Sequence, residues 1–192
     1  MKILIHPKSR SRVRGFTLVE IMVVIGIIGI LSAIVYANFS DSRKITRDNI
    51  RKTDLKNLQI AIELYKAQNG VYPDACTPGS GAWSGSVKGD AGCRTRSSDF
   101  ITGLVPDYIA DLPIDPMYNS YSDTSNAGYL YRVSTDKLEY KLMANSSVEK
   151  MLVTSYSDDF ARCARNMNTL WCGGDPPTNT YAVYKGSTAA GW

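Results

Sequence analysis

Residues 16–37 read FTLVEIMVVIGIIGILSAIVYA, and this stretch decides the architecture. Its 22 residues carry a single charge, Glu20. At about 1.5 Å per residue such a helix is about 30 Å long, enough to cross the hydrocarbon of a bilayer. A secretory signal has a shorter apolar core with small residues and a cut behind it. Here the apolar run is too long, and the junction Arg14-Gly15-Phe16 lies in front of it. A cut at Gly15 leaves the helix on the mature protein.

The charge distribution points to the same boundary. The chain has 192 residues, with 22 basic and 18 acidic side chains. Five of the basic ones (Lys2, Lys8, Arg10, Arg12 and Arg14) and no acid precede Phe16. The remainder therefore holds 17 basic against 18 acidic side chains. The basic balance belongs to the leader and does not indicate a nucleic-acid-binding body. The one histidine, His6, lies in the leader too, so a chain cut at Gly15 has no imidazole for a triad or a metal. Ser-His-Asp and Cys-His chemistry are excluded on that ground.

Arg-Gly-Phe-Thr-Leu-Val-Glu, residues 14–20, resembles the processing motif of type IV prepilins and type II secretion pseudopilins. The resemblance implies that a prepilin peptidase cuts between Gly15 and Phe16 and methylates the new amino group of Phe16. It implies an assembly role for Glu20, which matches the family's glutamate. It also places the leader in the cytoplasm and the body outside, where the basic residues on both sides of the apolar run leave orientation undecided. The physics of Glu20 agrees. A carboxylate in a membrane helix costs about 2.5–3.5 kcal/mol and needs a partner. The Phe16 amine, on the same chain or a neighbour, is one; snorkelling to the interface is the alternative. Gly26, Gly29, Ala33 and Ala37 share a helix face on which helices can approach closely.

No proline interrupts residues 16–69, and Gly70 with Pro73 marks a stop. One helix of about 80 Å is expected. Leu55, Leu58, Ile62 and Tyr65 form a stripe that should pack on the body. Arg43, Arg47 and Arg51 form an i, i+4 row. A solvated face with nearby acids is the favoured reading, ahead of contacts with headgroups or a neighbouring subunit.

Beyond Gly70, residues 74–98 are rich in Gly, Ser, Asp and Ala and read as a long surface loop. Residues 100–110 read as a short helix or turn. Leu112-Pro113-Ile114-Asp115-Pro116 resembles a segment of the major, G-like pseudopilins and reads physically as a rigid turn. Tyr129, Tyr131 and Val133 alternate, as do Leu138, Tyr140 and Leu142, with Thr135-Asp136-Lys137 between them: an antiparallel hairpin. A third strand is expected at 181–184. The fold class is α+β, a pilin-like long helix on a small antiparallel sheet. The expected organisation is a cleaved leader (1–15), a transmembrane and filament-core helix (16–40), its amphipathic second half (41–70) and a disulfide-containing head (71–192).

Four cysteines allow three pairings; proximity favours Cys76–Cys93 and Cys163–Cys172. Disulfides would mean an oxidising exterior, and a C-terminal disulfide loop resembles pilins more than G-like pseudopilins. The resemblance also raises calcium, for which Asp158, Asp159 and Asp175 are the nearest candidates. The family's loop pattern is not evident around them, and no cofactor or metal is expected. The expected function is a structural, non-enzymatic subunit of an extracytoplasmic helical filament, a type IV pilus or a type II secretion pseudopilus. It would be stored in the cytoplasmic membrane, with itself, other pilins, the prepilin peptidase and membrane lipid as partners and no nucleic acid. A membrane-anchored binding module and a minor, priming or capping pilin are the alternatives.

Overall fold

The computed structural model describes residues 15–76, 81–87, 99–122, 126–163 and 179–192. Its first element is the helix α1, Leu18–Asn69. The continuous helix expected from the lack of proline is present, and it ends where expected. Gly70 adopts φ +80°, a conformation open to glycine, and donates its N–H to the Lys66 carbonyl at 2.8 Å. The chain divides into two compact units, Met1–Ser40 and Asp41–Trp192.

Among the described residues of the first unit the large apolar side chains are exposed. Phe16, Ile21, Ile25, Ile28, Leu31 and Val35 are all at least half exposed. This part of α1 is long and apolar enough to cross a membrane.

In the second unit α1 lies against four antiparallel strands in the order β1-β2-β3-β4: Ser84–Val87, Gly128–Val133, Tyr140–Asn145 and Tyr181–Lys185. Strand pleating sends Tyr129, Tyr131, Val133, Tyr140, Leu142, Ala144, Tyr181 and Val183 to one face. They form a single core with Leu55, Leu58, Ala61 and Ile62 of α1, and Tyr65 packs on its edge. The expected stripe is the one that is buried. Each inward tyrosine also finds a partner for its hydroxyl, as buried phenols need. Tyr129 donates to Asp54 at 2.6 Å, Tyr131 to the Pro73 carbonyl at 2.8 Å, Tyr140 to Glu63 at 3.2 Å and Tyr181 to the Met151 carbonyl at 2.7 Å.

Three expectations need correction. The stretch read as a surface loop contains β1, all four of whose residues are buried. Its small residues are there because the strand approaches β2 closely: a Cβ on Gly85 would lie 2.2 Å from the Tyr129 carbonyl oxygen. The Ser84 hydroxyl donates at 2.6 Å to the Phe100 carbonyl. Leu138, counted in the hairpin alternation, is in the turn and 54% exposed. Lys137 takes φ +57° there, while the Leu138 N–H is held by Ser134 and Asp136 side chains.

The third correction concerns the arginine row. Arg51 is not solvated; it is fully buried. Its guanidinium grips Asp115 with two bonds of 2.8 and 3.0 Å and reaches Asp48 at 2.8 Å, Glu149 at 3.1 Å and the Tyr121 hydroxyl at 3.2 Å. Arg47 pairs with Glu149 through two further bonds of 2.6 and 2.5 Å. Burial pushes the Asp48 carboxyl up, but backbone N–H groups of Met151, Lys150 and Glu149 and the Arg51 guanidinium outweigh it and hold the group low. The Glu149 carboxyl is held low chiefly by its bond from Arg47, against burial. The proline turn therefore serves a second purpose: it presents Asp115 to Arg51.

Candidate processing and assembly site

Gly15 lies outside the helix and is exposed. Phe16, 85% exposed, precedes α1 by two residues. The Gly15–Phe16 bond therefore lies outside the helix, between two exposed residues. Thr17 and Glu20 then close the helix start reciprocally. The Thr17 N–H and hydroxyl each donate to Glu20 Oε2 at 2.9 Å, and the Glu20 N–H donates to Thr17 Oγ1 at 3.2 Å. This is a capping box: a hydroxyl residue and an acid three positions on satisfy N–H groups that a helix start leaves unpaired.

The box gives Glu20 a role the sequence reading missed, although the T-x-x-E spacing before an apolar run is its recognised signature. It also keeps the carboxylate on the helix start. In the full chain the Phe16 nitrogen is an uncharged amide.

The remaining expected site residues are dispersed. Cys76 and Cys163 are disulfide-bonded, and no cysteine among the described residues is free. Cys93 and Cys172 lie outside the described residues, as does Asp175. Asp158 accepts the Phe160 N–H at 2.8 Å in an exposed turn, and Asp159 is exposed beside it. Among the described residues no group of three or more His, Cys, Asp and Glu side chains is placed to hold a metal.

A long N-terminal apolar helix that continues beneath a small antiparallel sheet defines a pilin-like α+β protein. Residues 10–36 match the prokaryotic N-terminal methylation motif. The chain is 32% identical to the type II secretion system core protein G of Pseudomonas aeruginosa over 113 residues, 59% of this chain and 74% of that protein. It is 35% identical to the core protein G of Aeromonas hydrophila over 113 residues, 59% of this chain and 73% of that protein. It is 41% identical to the type IV major pilin protein PilA of Myxococcus xanthus over 67 residues, 35% of this chain and 30% of that protein. No solved structure matches. The chain belongs to the pilin-like family that includes the type II secretion system core protein G.

Proposed function

We propose that this chain is a membrane-stored structural subunit of an extracytoplasmic helical filament, released for assembly by cleavage between Gly15 and Phe16. The observation that carries the reading is the bare apolar half of α1, which begins directly behind an exposed scissile bond and a capped acid. Such a surface needs lipid before assembly and other copies of the same helix after it. In this reading the leader stays in the cytoplasm, Phe16 is N-methylated, the first 25 residues of the mature chain form the filament core and the head coats it. Glu20 leaves its cap to pair with the amine of a neighbouring Phe16. The partners are further copies, other pilins or pseudopilins, the prepilin peptidase and lipid. The role is architectural, without chemistry of its own.

Between the two filament types, a secretion pseudopilus is favoured, because the similarity to two of the core protein G relatives runs over 113 residues, against 67 for the pilin.

Gly15→Val is expected to block maturation. Intact mass spectrometry should show the leader retained in the variant and a methylated chain beginning at Phe16 in the wild type. A wild-type mass that corresponds to any other start overturns the assignment.

For the head, the proposed pairing is Cys76 with Cys93 and Cys163 with Cys172. Each bond closes a short loop and contributes about 2–4 kcal/mol. Peptide mapping without reductant is expected to return these two pairs. A crossed pairing overturns the loop assignment, and four alkylatable thiols in fresh protein overturn the oxidised head.

A further inference from the structure

The sheet's second face, turned away from the tyrosine core, is built differently. Val87, Leu130, Met143 and Ala182 form a small apolar cluster there, with Trp83 and Tyr184 packed against it. Beside the cluster opens a cleft of about 430 Å³, with Trp83, Leu130, Met143 and Trp192 among its walls and Arg132 and Arg162 facing it. That volume lies within the range of small-molecule sites.

The charges around this cleft are unbalanced. The Arg132 guanidinium sits 4.5 Å from the Trp192 ring centre and 5.8 Å from that of Trp83. The Nε atoms of Arg132 and Arg162 are both buried without a hydrogen-bond partner. Burial lowers both guanidinium pKa values, with no acid among the described residues acting against it. Lys141, fully buried, stands directly across from Arg132 in the β2–β3 register. Its ammonium donates to the Ala190 carbonyl at 3.2 Å and to the main-chain oxygen of Trp192 at 2.5 Å, and lies 5.4 Å from the Tyr184 ring centre. Burial, then Arg162 and Arg132, bring the Lys141 pKa down to about 7.

Two of these arrangements work against stability. Like charges placed directly across a strand pair repel, and a buried cation without a counter-ion is unfavourable. Arg51, a fully buried arginine of the head, shows the contrast, since carboxylates surround it. Among the described residues no carboxylate performs that service for Arg132 or Arg162. Guanidinium groups bind oxyanions through paired N–H donors, and indole rings accept flat apolar bodies. We propose that this cleft on the outer sheet face binds a small free organic acid, a carboxylate carried on a flat apolar body. The site is independent of filament assembly and goes beyond the proposed function.

The test uses the full chain in detergent with two labelled probes of one shape, indole-3-acetate and its neutral amide, in equilibrium dialysis corrected against protein-free micelles. The acid is expected to bind saturably at one site per chain, at least tenfold more tightly than the amide. The double variant Arg132→Gln/Arg162→Gln should lose at least tenfold in affinity for the acid. Arg43→Gln, an exposed arginine on α1, should lose none. Because the two guanidinium groups have no counter-ion among the described residues, the double variant should melt no lower than the wild type. Equal binding of acid and amide, no saturable binding, or full affinity in the double variant each overturns the proposal. The comparison of acid with amide on the wild type decides the matter even where the double variant fails to fold.

Discussion

Arg51→Leu is expected to lower the stability of the head by about 3–5 kcal/mol, the usual cost of deleting one partner from a buried ion pair. The variant leaves Asp115 and Asp48 buried, both previously bonded to the guanidinium at 2.8 Å. Asp115 retains only the Met117 N–H and the Tyr121 hydroxyl, each at 2.8 Å. Arg51→Lys should recover only part of the loss, because a point ammonium cannot replace a fork that meets three carboxylates and a phenol. Arg43→Ala, on the same row but exposed, should change stability by no more than about 0.5 kcal/mol. Denaturant unfolding of the full chain in detergent, followed by near-ultraviolet circular dichroism, provides the measurement.

The same cluster sets an acid limb. Asp48 and Glu149 have folded pKa values below their ordinary 3.8 and 4.5. Their contribution is complete above those ordinary values and is lost as pH falls through the lower, folded ones. Asp54 has the opposite sign: burial outweighs the Tyr129 hydrogen bond and raises it, so acid relieves an unfavourable charge there. The wild type should therefore lose stability below about pH 4. Arg51→Leu should show a shallower acid limb, because Asp48 and Glu149 both lose a cation. An Arg51→Leu protein as stable as the wild type would show that the cluster does not hold the head to α1.

Glu20→Ala should be cleaved, inserted and folded, yet assemble poorly. In an anchored monomer the carboxylate has only its cap and interfacial water, so its removal should be harmless or should favour insertion by about 2.5–3.5 kcal/mol. In a filament the carboxylate is desolvated against a neighbour's amine. Losing it then costs about 3–5 kcal/mol at each subunit contact. The capping box complicates alanine, which removes both the charge and the bonds to Thr17. Glu20→Gln separates the two, since glutamine serves at this position of a capping box but carries no charge. If the charge drives assembly, both variants fail in a shear-and-pellet assay while their membrane fractions match the wild type. If the cap alone matters, Glu20→Gln pellets normally and the pairing mechanism is rejected. A wild type that forms no filament or complex favours the anchored monomer.

The helix was legible because its signals are local. An unbroken apolar run, the absence of proline and a glycine at position 70 need no tertiary information. The inward stripe on α1 and the alternation in β2, β3 and β4 are likewise periodic. Strand β1 was not legible, because Ser84-Gly85-Ser86-Val87 has a loop's composition. Its small side chains answer to the closeness of β2, which no local pattern records. The Thr17–Glu20 box was present in the spacing, but the processing motif covers the same residues and took the reading first.

The sequence by itself determined the apolar helix, the processing motif in front of it and the α+β class of the body. Each of these depends on residues close together in the chain. The tertiary structure alone decided which basic residues are buried and what they meet. Arg43, Arg47 and Arg51 are equivalent by spacing, yet only Arg51 is fully enclosed, because Asp115 and Glu149 approach it from 64 and 98 residues away. Arg132 and Arg162, both half-buried, line a cleft with indole rings and apolar side chains and act on another cation, Lys141, instead. The free energy of a buried charge depends on the groups within a few ångströms of it, and only folding brings those groups together.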